Sequence, residues 1–190
     1  MIKNLFFISL LVGSIAGWQT VSGADSNANL AKNPEFKLNA KGKAAPWSVR
    51  YGKIAEMITE GSEPGRSAVK MPLSFRKAVR YNYGNVLSQQ IKNPAPGTYI
   101  VTVNLAPSRK FNDALIVVYY TDPETGKRVF APNGRLKIGD YPKPGEWKKK
   151  CYEVNIPENV KSLGFGVEVR DNKEDGFIKI EKPSFIFREE

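Results

Sequence analysis

The chain has 190 residues, with 29 Lys and Arg against 19 Asp and Glu (net +10), one Cys and no His. A single Cys excludes an intrachain disulfide, and the lack of His removes the usual general base, zinc ligand and triad partner from any catalytic account. The basic balance suits a polyanionic partner: acidic polysaccharide, anionic cell-surface sugar, nucleic acid or an acidic protein. Excess Lys also serves solubility alone. The densest run, Lys148-Lys149-Lys150, is short, and no nucleic-acid motif accompanies it.

The N-terminus reads as an export signal. Lys3 supplies a positive start, Leu5 to Ala16 is apolar apart from Ser9, Gly13 and Ser14, and small residues follow at Ser22-Gly23-Ala24. The apolar run is shorter than the ~20 residues a membrane-spanning helix needs. Residues 1–23 are therefore expected to be a cleaved signal peptide and the protein secreted or periplasmic. No Cys near the cleavage site offers a lipid anchor, and no later stretch is long and apolar enough to span a bilayer. Residues 24–29 read as a flexible polar leader, and 30–188 as one domain of ordinary size.

Turn signals punctuate that domain at Asn33-Pro34, Pro64-Gly65, Pro96-Gly97, Asp122-Pro123, Pro132-Asn133-Gly134 and Pro144-Gly145. Between them lie short runs rich in Val, Ile, Tyr, Thr and Phe, the pattern of an all-β sandwich or barrel. Lys53–Glu60 places Ile54, Met57 and Ile58 at helical spacing, yet Ile54 and Ile58 also suit a strand, which its neighbours favour. In Thr98–Ala106, the residues Tyr99, Val101, Val103 and Leu105 alternate with polar ones. Ala114–Tyr120 is apolar on both faces, as expected of a central strand or one beneath a ligand groove; parity alone does not say whether Tyr119 or Tyr120 faces away from the core. Tyr152, Val154 and Ile156 alternate again, as do Leu163, Phe165, Val167 and Val169. Phe177–Ile180 and Phe185–Phe187 flank Pro183, so the last strand should carry a bulge or kink. Cys151 reads as an inert, partly buried thiol.

Several of these pieces, in this order, resemble carbohydrate-binding modules of the 4/9 and 22 type, within the galactose-binding-like group. They are Asn29–Phe36, looking like that family's first strand, and Pro46-Trp47-Ser48-Val49; then Gly65–Lys70; Leu87–Ile91 followed by Pro96–Thr102; Gly145–Lys149 with Val154–Glu158; and Gly176–Ile180. The resemblance implies a jelly-roll of two antiparallel sheets, a non-catalytic sugar-binding role and, in the family, a structural calcium. Where it would place the calcium's acidic ligands stand Lys37 and Glu181-Lys182. A Lys repels a cation that wants clustered oxygens, so no cofactor or metal is expected.

Sugar recognition pairs an aromatic ring with the apolar face of a pyranose and reaches its hydroxyls with planar polar groups. The candidates are Trp47, which suits core or site equally; Tyr81 and Tyr83, alternating before the Leu87–Ile91 run; Tyr120 (or Tyr119); and Gln90, Asn104, Glu168 and Arg170 on the non-core faces of their strands. Gly164 and Gly166 would leave that face open for a ligand, or simply relieve crowding. Trp147 reads as core. No pair of carboxylates stands out for glycosidase chemistry. The expected function is a secreted carbohydrate-binding domain, suited to acidic glycans by its charge, whose partner is a polysaccharide or cell-surface glycan. The alternative is a structural or protein-interaction sandwich, engaging other exported proteins without sugar; a non-core face bare of exposed aromatics would favour it.

Overall fold

A computed structural model describes residues 28–50, 52–72, 86–111, 113–138, 143–170 and 175–189, with Arg170 described by its backbone alone. The export signal, Tyr81 and Tyr83 lie outside these residues. Among the described residues no helix is long and apolar enough to cross a membrane.

Among the described residues ten strands form two antiparallel five-stranded sheets. They are β1 (Ser48–Val49), β2 (Ile58–Glu60), β3 (Ser67–Pro72), β4 (Val86–Lys92), β5 (Gly97–Pro107), β6 (Asp113–Thr121), β7 (Arg128–Lys137), β8 (Lys148–Ile156), β9 (Ser162–Arg170) and β10 (Phe177–Phe187). The first sheet runs β1-β4-β9-β6-β7 and the second β2-β3-β10-β5-β8. Among the described residues the alternating runs Thr98–Ala106, Tyr152–Ile156 and Ser162–Arg170 lie in strands, because period-two apolarity gives each one a greasy side that only a facing sheet can bury.

The buried sides meet as foreseen. Tyr99, Val101, Val103 and Leu105 of β5 face Leu163, Phe165, Val167 and Val169 of β9 across one core. Each such side chain, when fully buried, contributes about 1.5–3 kcal/mol relative to exposure. An aromatic chain runs through the middle: Phe36 meets Trp47 edge-on, Trp47 meets Phe165, Phe165 meets Phe185, and Phe185 stacks on Tyr99 at 4.6 Å. The Tyr99 hydroxyl donates to the Ala95 carbonyl at 2.9 Å, which satisfies its one polar atom.

The chain departs from the sequence reading in several places. Asn29–Phe36 is not a strand but a strap. Leu30 N–H donates to the Phe185 carbonyl, and Asn29 Oδ1 accepts from the N–H groups of Ala31 and Phe185, so Asn29 belongs to the fold rather than to a loose leader. Ile54–Met57 forms a 3₁₀ turn whose i and i+3 residues, Ile54 and Met57, are both buried; only Ile58–Glu60 is extended. Pro132-Asn133-Gly134 is not a turn between strands. It is a bulge inside β7, where the register against β6 shifts between Val117 and Tyr119 and Asn133 adopts φ 57°. Trp147 is only half-buried and lies outside the core, and Cys151 is exposed. The kink around Pro183 is present: β10 shifts register between Glu181 and Ser184, with Lys182 at φ 46°.

Candidate functional site

The outer face of the first sheet gathers side chains from four strands. On β6 the core takes Ala114, Ile116 and Val118, so Tyr119 points outward and Tyr120 packs toward the core. Tyr120 was the expected site residue of the pair; its neighbour takes that place because β6 is apolar on both faces and alternation carries no contrast there. Leu115 and Val117 also point outward, yet are buried, and β6 lies inside the sheet between β9 and β7, as expected for a central strand.

Tyr119 lies over Gly164, its partner across β6 and β9. A Cβ on Gly164 would overlap the Tyr119 ring, so only glycine admits it. Gly166 in turn sits against the Leu87 carbonyl and Ser88 of β4. The two glycines thus make room for the protein's own atoms rather than for a ligand. Above the ring the Arg128 guanidinium stacks with its carbon 3.3 Å from the centroid, an attraction worth about 0.5–2 kcal/mol. The result is a layered stack of strand backbone, tyrosine ring and guanidinium, with the cation exposed at its top.

Around the stack are groups suited to a polyhydroxylated ligand. Gln90 on β4 donates from Nε2 to the Tyr119 hydroxyl (3.4 Å), while its Oε1 accepts from Ser162 Oγ (3.1 Å). Phe130 on β7, directly opposite Tyr119, is 40% exposed, an uncommon state for so apolar a ring. Arg135 stands 5.6 Å from the Phe130 centroid and 4.0 Å from Asp113. Arg128 has no acidic partner among the described residues.

Not every expected residue joins this group. Trp47 is 5% exposed, and its indole N–H donates to the carbonyls of Lys32 (2.8 Å) and Asn33 (2.9 Å); of its two readings the structure takes the core one. Asn104 lies on β5, in the other sheet, where its Nδ2 donates to Glu181 Oε1 (3.0 Å). Alternation identified its face but not its sheet, since sheet membership is set by long-range pairing. Glu168 does lie on the outer face of β9, but is 6% exposed. By register it sits diagonally from Asp113. Arg170, at the end of β9, faces Asp113 across the sheet by backbone register. Arg128, Phe130 and Arg135 were missed because the Pro-Asn-Gly bulge hid β7; an exposed Phe between two Arg was the available signal.

The outer face of the second sheet is organised differently. Glu181, at the β10 kink, is fully buried. It accepts from Ser62 N–H (2.7 Å), Ser62 Oγ (2.5 Å) and Asn104, with Arg66 at 3.9 Å. Burial alone would raise its pKa; the Ser62 and Asn104 hydrogen bonds and the Arg66 charge outweigh it and hold the carboxyl below its ordinary value. Nor do the residues fit the calcium that the family resemblance implies. The Lys37 ammonium holds Glu35 at 2.7 Å, Lys182 adds its charge near the same carboxylate, and the Glu181 oxygens are already taken. Among the described residues no three His, Cys, Asp or Glu cluster as metal ligands.

No protein-family model matches the sequence, and no curated protein matches it. Its fold is that of carbohydrate-binding modules. TmCBM61, solved in complex with β-1,4-galactotriose, is 18% identical, with 85% of this chain aligned to 100% of that one at a TM-score of 0.51. The CBM22-1 xylan-binding domain of Paenibacillus barcinonensis Xyn10C is 13% identical over 86% and 97% of the two chains, with a TM-score of 0.52. The chain also aligns, at 14% identity and a TM-score of 0.59, to a part of the arabinose-bound MgGH51 α-L-arabinofuranosidase; 86% of this chain covers 27% of that one.

Proposed function

We propose that the protein is an exported, non-catalytic carbohydrate-binding domain that takes an acidic glycan across the outer face of its first sheet. The observation that carries this reading is the outward guanidinium of Arg128, stacked on Tyr119 without an acidic partner among the described residues, beside the exposed Phe130 ring. A planar guanidinium pairs with a carboxylate or sulfate through two parallel hydrogen bonds. The Phe130 ring offers an apolar platform for a pyranose, and Gln90 and Ser162 offer donors and acceptors for its hydroxyls. The fold of carbohydrate-binding modules and the net charge of +10 agree with this choice. Export rests on the N-terminal pattern of residues 1–23. An exposed aromatic on this face weighs against the alternative of a sugar-free interaction sandwich.

Affinity electrophoresis in gels containing polygalacturonate, a sulfated galactan or neutral xylan tests the proposal. Retardation by an acidic gel, lost in Arg128→Ala, is expected. Equal migration in all gels, or retardation that Arg128→Ala and Phe130→Ala leave intact, would overturn it.

A further inference from the structure

The first sheet ends at β1, and at that edge residues 41–43, 45–49 and 52–55 line a pocket of about 420 Å³. Pro46, Trp47 and Ile54 are among its apolar lining, and three basic residues, Lys41, Lys43 and Lys53, border it as well. The turn that carries two of these lysines is built in advance. Asn39 Oδ1 accepts from the N–H groups of Lys41 (2.9 Å) and Lys43 (3.1 Å), and the Asn39 N–H donates to the Lys43 carbonyl. Lys53 has Glu56 at 3.2 Å, but neither Lys41 nor Lys43 has an acidic partner among the described residues. Like charges gathered at one apolar hollow repel each other, and an anion with an apolar body relieves that repulsion.

We infer that this pocket is a second subsite, for an acidic sugar residue of the same glycan chain; the inference rests on the proposed function above. A sugar ring bearing a carboxylate or sulfate combines the apolar face that suits the lining with the charge that suits the lysines. β1 and β7 are the two edges of the sheet, four strand spacings or about 19 Å apart. One glycan long enough to cross the sheet reaches both sites, and the second contact is then intramolecular, so affinity rises steeply with chain length.

The test uses Trp18→Phe/Trp147→Phe protein, in which Trp47 is the only tryptophan and reports on the pocket. Galacturonate is titrated against its fluorescence, and polygalacturonate and trigalacturonate affinities are measured in parallel. Lys41→Ser/Lys43→Ser should abolish the Trp47 response. It should also lower polygalacturonate affinity by about tenfold or more, leaving trigalacturonate affinity at the Arg128 face and the melting temperature unchanged. Arg128→Ala should keep the Trp47 response. A Trp47 response absent from the parent protein, or unaltered by the lysine substitutions, overturns the pocket assignment and leaves the sheet-face reading standing. Failure of that reading looks different: a saturable, lysine-dependent Trp47 response with polymer binding indifferent to Arg128.

Discussion

On the outer face of the second sheet, Glu181 is enclosed by Ser62, Asn104 and Arg66; on the outer face of the first, the exposed Arg128 rests on Tyr119. Both faces carry charge, but they use it in opposite ways. A buried polar group with all its hydrogen bonds made holds the fold and has none left for a ligand. A cation held in place by stacking, with its donors unspent, is pre-ordered for a partner at little further entropic cost. Charge count alone would not separate the two faces; the pairing of each group does.

The sharpest way to test this contrast is to remove Glu181. Glu181→Ala removes the acceptor shared by Ser62 and the half-buried Asn104 and should lower unfolding free energy by about 2 kcal/mol in urea titration, with glycan affinity of the folded protein unchanged. Lost affinity with unchanged stability would reverse the assignment of the two faces. The same carboxyl sets an acid limit. Its pKa is lower in the folded state, so its contribution is complete above the unfolded value of about 4.3 and fades as pH falls through and below it. Melting temperatures measured at decreasing pH should fall less steeply in Glu181→Gln than in the parent.

On the other face the effects should appear in binding. Gly164→Ala drives a methyl group into the Tyr119 ring, with an expected stability loss of about 1–2 kcal/mol and weaker retention by acidic glycan as the stack shifts. Arg128→Ala should weaken acidic-glycan binding about tenfold, near 1.4 kcal/mol, with stability changed by less than about 0.5 kcal/mol. Arg128→Lys should recover little of that loss, since an ammonium lacks the paired donors of the planar fork. The smallest effect is on salt. Raising NaCl from about 0.1 to 1 M shortens the screening length from about 10 to 3 Å, so acidic-glycan affinity should fall several-fold while the melting temperature hardly moves.

Much of the architecture was legible in the sequence. Alternating Tyr99–Leu105 and Leu163–Val169 named two core strands, and Pro183 named the kink in β10. The candidate site was less legible. Gln90, named from alternation, does stand beside Tyr119, which parity left undecided against Tyr120. Arg128, Phe130 and Arg135 went unseen behind the β7 bulge, while Asn104 was placed with partners from the wrong sheet.

The division has a physical cause. Side-chain alternation and turn chemistry are local, so one strand's residues state which of them share a side and where the chain must bend. By itself the sequence determined an all-β chain of many short strands, their buried sides and the final kink. Only tertiary structure decided which strands became neighbours, because pairing joins residues far apart in the chain. It brought Gly164 beneath Tyr119, set Phe130 beside it, and gave Glu181 its partners Ser62 and Asn104.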